Sequence, residues 1–274
     1  MLATASQADL EYLRRMVLRH SGNSLDPSRD YLLETRLSPL LQSLHLNGLG
    51  AFVSLLKSQD DAVVERAAAE AMTINETSFF RDVRPFELLR TQLLPQLIEA
   101  RSGVRALRFW SAACSSGQEA YSIAMLLRED FPAIGNWNVR IDGTDISSRV
   151  LEQASAGRYH RIEINRGLPA RHIPRFFDHE GDYWVVKPEL RSACSFQRAN
   201  LCAGSLPFRS PFDVILLRNV LLYFSSEVRR VVLAQVHRLV APDGVLLLGA
   251  SEQPPTDSCW KVELAGGACF MRPT

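Results

Sequence analysis

Much that would point to an easy functional class is scarce in this 274-residue chain. Charge of one sign is not in excess: Lys+Arg number 31 against Asp+Glu 30, a formal net charge of +1. No broad field gathers phosphates, and no basic run exceeds a pair of arginines, so a nucleic-acid partner is not expected. The five cysteines (Cys114, Cys194, Cys202, Cys259, Cys269) form no CxxC pair and share no tight spacing with the six histidines. That argues against a zinc site and a disulfide framework; reduced thiols, mostly in the core, are expected. Long apolar runs are missing too. The opening "MLATASQADLEYLRRM" has no signal-peptide h-region, and "FDVILLRNVLLYF" carries Asp213 and Arg218 and is too short to span a bilayer. No membrane insertion and a cytoplasmic location are expected. Internal repeats and low-complexity tracts are absent.

What is present is ordinary globular composition, 46% hydrophobic and 22% charged, in a chain long enough for one large core and a satellite. Apolar residues recur at helical spacing at Leu10, Leu13, Met16 and Val17, and again at Leu33, Leu37, Leu40, Leu41 and Leu44, where Pro39 is expected to kink or split the helix. "DDAVVERAAAEAM" is a third helix candidate. With no strand signal before residue 74, residues 1–73 read as a helical N-terminal domain.

Beyond the polar junction "INETSFFRD" the pattern becomes strand, helix, strand, helix: "ALRFWSAA", "GQEAYSIAMLLRED", "NVRIDGTDIS", "SSRVLEQASAG". This alternation predicts parallel strands with right-handed crossovers, and a ligand crevice at their carboxyl ends. From Gly157 to about Arg191 the rhythm stops, and short pieces such as "DYWVV" suggest an inserted β subdomain. It resumes with "CSFQRANL", "PFDVILLRN", "SSEVRRVVLAQVHRLVA" and "GVLLLGA". Residues 251–267, with Pro254, Pro255, Gly266 and Gly267, show no helix, so the last strand "ACFMRP" is expected to pair antiparallel with its predecessor.

Functional residues should therefore follow strands. The turn "SAACSSGQEAYS" after the first strand holds Gly117 alone where a dinucleotide enzyme needs three glycines, which favours a nucleoside-type ligand lacking phosphate. Glu119 has two readings, the N3 partner of Ser116 in a capping box or a carboxylate facing a cationic part of the ligand. Asp145 ends the second strand, where a carboxylate accepts ribose hydroxyls; the competing reading is a turn-forming aspartate. Asp142 is assigned to the strand and Ser147 to the N-cap of the next helix. Asn200 and Leu201 end a third strand, and Leu217, Arg218, Asn219 and Tyr223 a fourth. Arg218 also fits an ordinary strand-end salt bridge, and Tyr223 a core aromatic with its hydroxyl at the rim.

Taken together, "NETSFFRD", "FWSAACSSGQEAYSIAM", "GTDIS", the insertion beginning "GRY", "ANL" and "RNVLLYF" resemble the chemotaxis receptor methyltransferases, the CheR family, in order and spacing over nearly the whole chain. The resemblance implies a Rossmann-like α/β fold: a seven-stranded class I methyltransferase sheet with a small antiparallel β insertion, preceded by an all-α domain. The implied division is 1–73, a linker over 74–84 that contributes to the active site, and a methyltransferase domain over 85–274 with its insertion at 157–191. The implied cofactor is S-adenosyl-L-methionine, leaving S-adenosyl-L-homocysteine. The implied substrate is glutamate on the cytoplasmic helical bundle of a chemoreceptor, and a monomer is expected. Asn75, Thr77 and Arg81 would line the reactive side of the cofactor, Glu119 its methionine part, Asp145 the ribose, Asn200 and Leu201 the adenine edge, and Leu217 with Arg218 the remaining wall. Arg81 and Tyr223 would stand nearest the transferred methyl. On this reading Phe79 and Phe80 anchor a strap between the domains; the alternative is a packed linker with a solvated Arg81–Asp82 pair.

Departures from the family pattern are specific. "GQEAYS" replaces the common "GEEPYS", so Gln118 removes a carboxylate expected at the crevice rim. The second helix offers only Arg36 where relatives carry several basic residues, and the insertion is short and glycine-poor. Weak steering toward an acidic receptor and independence of a tethering peptide are the expectations. Two other functions compete. A nucleic-acid methyltransferase would place Asn/Asp-Pro-Pro-aromatic where "RNVLLY" stands, whereas "QPPT" follows a later strand. A non-catalytic cofactor-binding scaffold would have no use for Arg81 and Tyr223.

Overall fold

The computed structural model describes residues 5–59, 61–253 and 259–274. It divides into two compact units, one reaching to Ile74 and taking in Tyr223–Arg229, the other formed by Asn75–Leu222 and Arg230 onward.

The first unit is helical. Helix α1 (Gln7–Ser21) starts at a capping box in which Ser6 and Asp9 exchange side-chain-to-backbone bonds, and it stops at Gly22 with φ 75°. Helix α2 (Tyr31–Ser43) runs through Pro39 without splitting. The proline removes one backbone donor, but burial of the stripe Leu33, Leu37 and Leu41 holds the turns on either side to one core. Helix α3 (Leu49–Gln59) was not among the helices read from periodicity, although Leu49, Phe52, Val53 and Leu56 supply a helical stripe. Helix α4 (Ala62–Ala71) is capped by Asp61. It carries Glu65, a buried carboxylate that accepts from Arg19 at 2.8 Å and meets His20 Nε2 at 2.6 Å. Arg36 spends its guanidinium locally, donating to the Met72 carbonyl at 3.0 Å. Tyr223–Arg229 joins this unit through Ser24 N–H donating to the Tyr223 carbonyl at 2.9 Å and a bridge between Asn23 and Phe224.

After the junction the second unit has two helices that the sequence reading did not identify, α5 (Arg84–Leu88) and α6 (Leu94–Ala100), joined by a π-helical turn. The βαβα segment follows as β1 (Ala106–Ala112), α7 (Gln118–Asp130), β2 (Asn138–Asp145) and α8 (Ser148–Ala156). The insertion contains β3 (Arg158–His160), α9 (Arg161–Ile164), α10 (His172–Phe176), β4 (Phe177–Glu180), β5 (Tyr183–Val186) and α11 (Pro188–Arg191). The rest is β6 (Cys194–Arg198), β7 (Phe212–Leu217), α12 (Ser226–His237), β8 (Val240–Leu248), β9 (Trp260–Ala265) and β10 (Ala268–Pro273).

Among the described residues the strands form a seven-stranded sheet in the order β6-β2-β1-β7-β8-β10-β9 and a separate antiparallel sheet β3-β5-β4. Pairing is parallel from β6 to β8, and β10 lies antiparallel to β8 as expected. Strand β9 was missed, because its alternation of exposed and covered residues is faint on an edge strand. Every residue of β7 is buried, the mark of a strand covered on both faces. The order reverses between β1 and β7, so the crevice expected for a ligand lies beyond Ala112, Asp145 and Leu217.

The cysteines depart from expectation. Only Cys114 is fully buried, Cys194 and Cys202 are half-buried, and Cys259 and Cys269 are exposed, all as free thiols. Two of them sit at or near the end of an edge pair of strands, where one face is open to solvent. No described helix is long and apolar enough to cross a membrane. Pro254 and Pro255 of "QPPT" fall outside the described residues.

Candidate active site

The turn after β1 is wound tightly. Ala113 and Ser115 have φ 60° and 49°, and Gly117 has φ 91°. For alanine and serine this region is costly, on the order of 1 kcal/mol or more each, and is kept only where surroundings enforce it. At Gly117 the surroundings are explicit: a Cβ there would come 2.9 Å from the Ala154 Cβ.

Asp145 provides part of that enforcement. Its buried carboxylate accepts from Ser115 N–H at 2.9 Å and from Ser147 N–H at 3.0 Å. It thus makes the turn-forming contacts that the sequence offered as the alternative to a ribose ligand. Ser147 stands at the N-cap of α8, but its side chain makes no cap bond. Asp142 lies in β2, paired with Arg108 at 3.0 Å.

Glu119 resolves differently from the capping box. The N-cap of α7 is Gly117, with no side-chain cap, and Ser116 donates to Gln118 Oε1 at 2.9 Å. Gln118 is buried rather than at a rim. Released from capping, Glu119 accepts from Ser111 Oγ at 2.7 Å and from Arg218 Nη1 at 2.8 Å.

Arg218 is more than a strand-end salt bridge. Its side chain is 1% exposed, and it donates to Glu119, to Asp82 at 2.9 Å and to the Arg81 carbonyl at 2.7 Å. A buried cation survives only with such compensation. Asp82 therefore does not form the solvated pair with Arg81 that the junction suggested. The Arg81 guanidinium instead donates to the Glu76 carbonyl at 2.9 Å.

The junction is a strap laid on this unit. Phe79 is fully buried, edge-on to Tyr159 at 5.1 Å and Phe177 at 5.7 Å between centroids. Phe80 packs on Phe86, and its N–H donates to Ser122 Oγ at 2.9 Å. The Asn75 carbonyl accepts from Ser115 Oγ at 2.7 Å, tying the strap to the β1 turn. Thr77 is half-buried. Phe80, Asp82 and Val83 all have positive φ, 48°, 66° and 45°. A β-branched residue there is an outlier, so strain gathers where the strap passes the strand ends.

The sequence candidates fall into two groups. Glu119, Arg218, Asn75 and Asp145 join networks at the carboxyl ends of β1, β2 and β7. Asn200 and Leu201 sit just past β6, next to β2, where Ala199 N–H donates to the Asp145 carbonyl at 3.0 Å; Leu201 is buried and Asn200 Oδ1 accepts from Cys202 N–H. Burial pushes the Cys202 thiol up to about 11. Tyr223 falls in the helical unit. Asp82, Ser111 and Ser122 were missed. A serine inside the apolar strand "FWSA" was the available signal for Ser111, since a buried hydroxyl needs a partner. Among the described residues no group of three or more His, Cys, Asp or Glu could hold a metal.

Comparison with known proteins identifies the family. Residues 75–265 match the family "CheR methyltransferase, SAM binding domain" and residues 8–73 match "CheR methyltransferase, all-alpha domain". Chemotaxis protein methyltransferase 1 of Pseudomonas aeruginosa is 41% identical over 253 residues, covering 91% of each chain. Chemotaxis protein methyltransferase Cher2 of Pseudomonas putida is 38% identical over 248 residues, covering 89% of this chain and 90% of that one. The chemotaxis protein methyltransferase of Escherichia coli is 33% identical over 253 residues, covering 90% and 85%. With both halves of the sequence matched and relatives of 33–41% identity aligned over most of their length, the chain belongs to the CheR methyltransferase family.

Proposed function

We propose that this chain methylates glutamate side-chain carboxylates on the cytoplasmic helical bundle of a chemoreceptor, using S-adenosylmethionine. The names of its relatives support the pathway, and the observation that carries the site is Arg218, which joins the strap (Asp82, Arg81 carbonyl) to Glu119 at the head of α7. The proposed organisation is a helical domain over 1–73, a strap over 74–84 that contributes to the active site, and a methyltransferase domain over 85–274 whose insertion spans 157–191. A cytoplasmic monomer is the proposed state.

The residues present fit a nucleoside sulfonium. In the β1 turn the Ser115 amide is taken by Asp145, so the turn is not a phosphate cradle. Asp145 stands at the end of β2 with its carboxylate held by the Ser115 and Ser147 amides, the position in a doubly wound sheet where a carboxylate accepts ribose hydroxyls. Glu119 keeps acceptor capacity beside Ser111 and Arg218 for an ammonium group. The proposed holding set is Asn75, Thr77, Arg81, Glu119, Asp145, Asn200, Leu201, Leu217 and Arg218.

Bound there, S-adenosylmethionine supplies a methyl carbon already made electrophilic by its sulfonium. A glutamate with reference pKa near 4.3 is ionised at neutral pH, so the chain has no proton to remove. Its work is orientation and exclusion of water, which can contribute several kcal/mol, on the order of 7 or more in well-aligned cases. Arg81 uses one donor on Glu76 and keeps others free for a substrate carboxylate, in the fork geometry that suits it. Tyr223 is proposed to aim the same carboxylate through its hydroxyl.

The test is incubation with labelled S-adenosylmethionine and membranes bearing candidate receptors, followed by base treatment. Volatile label released as methanol is expected. Label in nucleic acid, or none in protein despite measurable binding of S-adenosylhomocysteine, overturns the substrate assignment.

A further inference from the structure

Glu252 lies four residues past the end of β8, outside every motif considered so far, yet its side chain accepts four backbone hydrogen bonds near the strand ends. Oε2 accepts from Asn219 N–H at 2.7 Å and Gly249 N–H at 2.8 Å. Oε1 accepts from Val220 N–H at 2.8 Å and Leu222 N–H at 3.4 Å. The residue is 9% exposed. Three of the four donors belong to the loop directly after β7, the loop that begins at Arg218.

The donors converge because the backbone is bent to make them do so. Asn219 has φ 59°, a left-handed conformation that asparagine tolerates better than most residues, and it turns successive N–H groups toward one point. Such a concavity selects an anion, and Glu252 is its anion. Gly249 completes the arrangement. A Cβ at that position would fall 2.7 Å from Glu252 Oε2, 2.8 Å from Asn219 Nδ2 and 2.9 Å from Asn219 N. The strand end after β8 can approach the loop after β7 only without a side chain.

We infer that Glu252 is a positioning residue for methyl transfer: through the amides of Asn219, Val220 and Leu222 on one side and of Gly249 on the other it ties the loop after β7 to the turn after β8, and so fixes Arg218 at the start of that loop. This rests on the reading above that Arg218 serves the reaction. Displacing reacting groups by about 1 Å can cost on the order of 100-fold, so a loop held by a single carboxylate is a sensitive point. Glutamine at 252 keeps the shape but turns an NH₂ toward N–H donors, and alanine removes the acceptor altogether.

The experiment compares Glu252→Gln, Glu252→Ala and Gly249→Ala with the unaltered full chain. Three quantities are read: hydrogen exchange of the segment 218–222, kcat and KM for methyl transfer to receptor membranes, and affinity for S-adenosylhomocysteine. Faster exchange confined to 218–222 and its partner turn is expected. With it, kcat should fall on the order of 10- to 100-fold in the order Gln before Ala, while the KM for receptor changes less than threefold. Unchanged exchange would show that the clamp does not hold the loop. Faster exchange with kcat within twofold would show that the loop need not be held. Loss of cooperative melting in all three, the mild glutamine included, would make Glu252 a residue of global folding and overturn the positioning role. If the unaltered chain binds S-adenosylhomocysteine but methylates no receptor, the substrate reading fails, and the exchange and affinity comparisons still decide the clamp.

Discussion

Arg218 Nη1 lies 2.8 Å from Glu119 Oε2 while Nη2 lies 2.9 Å from Asp82 Oδ2, so one buried guanidinium holds the helix after β1 to the strap. Its Nε is buried with no partner among the described residues, so the charge is balanced but not fully hydrogen-bonded. Removing it leaves two carboxylates facing each other. Arg218→Ala is expected to lower stability by about 3 kcal/mol, the low end for a broken buried pair because Asp82 is 35% exposed. Urea denaturation measures this, and a loss under about 1 kcal/mol contradicts it.

Asp145 accepts from the Ser115 and Ser147 amides at the end of β2, and the proposal places the ribose hydroxyls against the same carboxylate. Asp145→Asn should weaken S-adenosylhomocysteine binding by about 10- to 100-fold, the worth of one or two charge-assisted hydrogen bonds. Calorimetric titration checks it. Affinity within threefold of the original would place the ribose elsewhere.

Among the described residues Arg81 makes a single side-chain hydrogen bond, to the Glu76 carbonyl, and faces no carboxylate at ion-pair distance. Arg81→Ala is expected to abolish most methyl transfer, on the order of 100-fold, with Lys restoring little of it because the fork is lost. Near-normal turnover in either variant removes the assignment.

Gly167, with φ 89°, brings the insertion against the strap. A Cβ there would sit 2.1 Å from the Phe79 carbonyl oxygen. Gly167→Ala must displace one of the two, and the left-handed φ adds to the cost. Reduced stability by about 2 kcal/mol or more is expected, together with slower turnover; a variant that melts and turns over normally would show that the strap gives way freely.

A fourth carboxylate sets a pH limit. Glu129 on α7 meets His172 Nε2 on α10 at 2.5 Å and Arg171 at 3.3 Å. Burial raises its pKa, but the hydrogen bonds and charges of His172 and Arg171 outweigh that and hold it below the ordinary carboxylate value. Since the folded value is depressed, its contribution is fully present above the unfolded pKa of about 4.3 and is lost as pH falls through the folded value. Glu129→Gln should therefore lower the melting temperature at pH 7 and narrow the gap to the original chain near pH 3. Parallel melting curves across that range would contradict it.

Much of the fold was legible because it rests on period. The alternation through "ALRFWSAA" and "NVRIDGTD" marked strands whose alternate faces must be buried, and the stripe Leu13, Met16 and Val17 marked a helix. Residues at strand ends were legible by position alone: Asp145 closes β2 and Arg218 follows β7, where a parallel sheet exposes its carboxyl edge. Strand β9 and helix α3 were not, the first because an edge strand is under little pressure to alternate, the second because its stripe lies between loops without a clear cap.

Local pattern thus determined the class of fold, the crevice and most of its polar candidates, since hydrophobic burial obliges each element to show its period in the chain. Partnership was decided only in three dimensions. Ser116 and Glu119 have the spacing of a capping box, yet Arg218, 99 positions away, takes the carboxylate, and Arg81 loses its neighbour Asp82 to the same guanidinium. A buried charge must be met by whatever opposite charge the packed strands bring within 3 Å, and that distance is set by the sheet, not by separation along the chain.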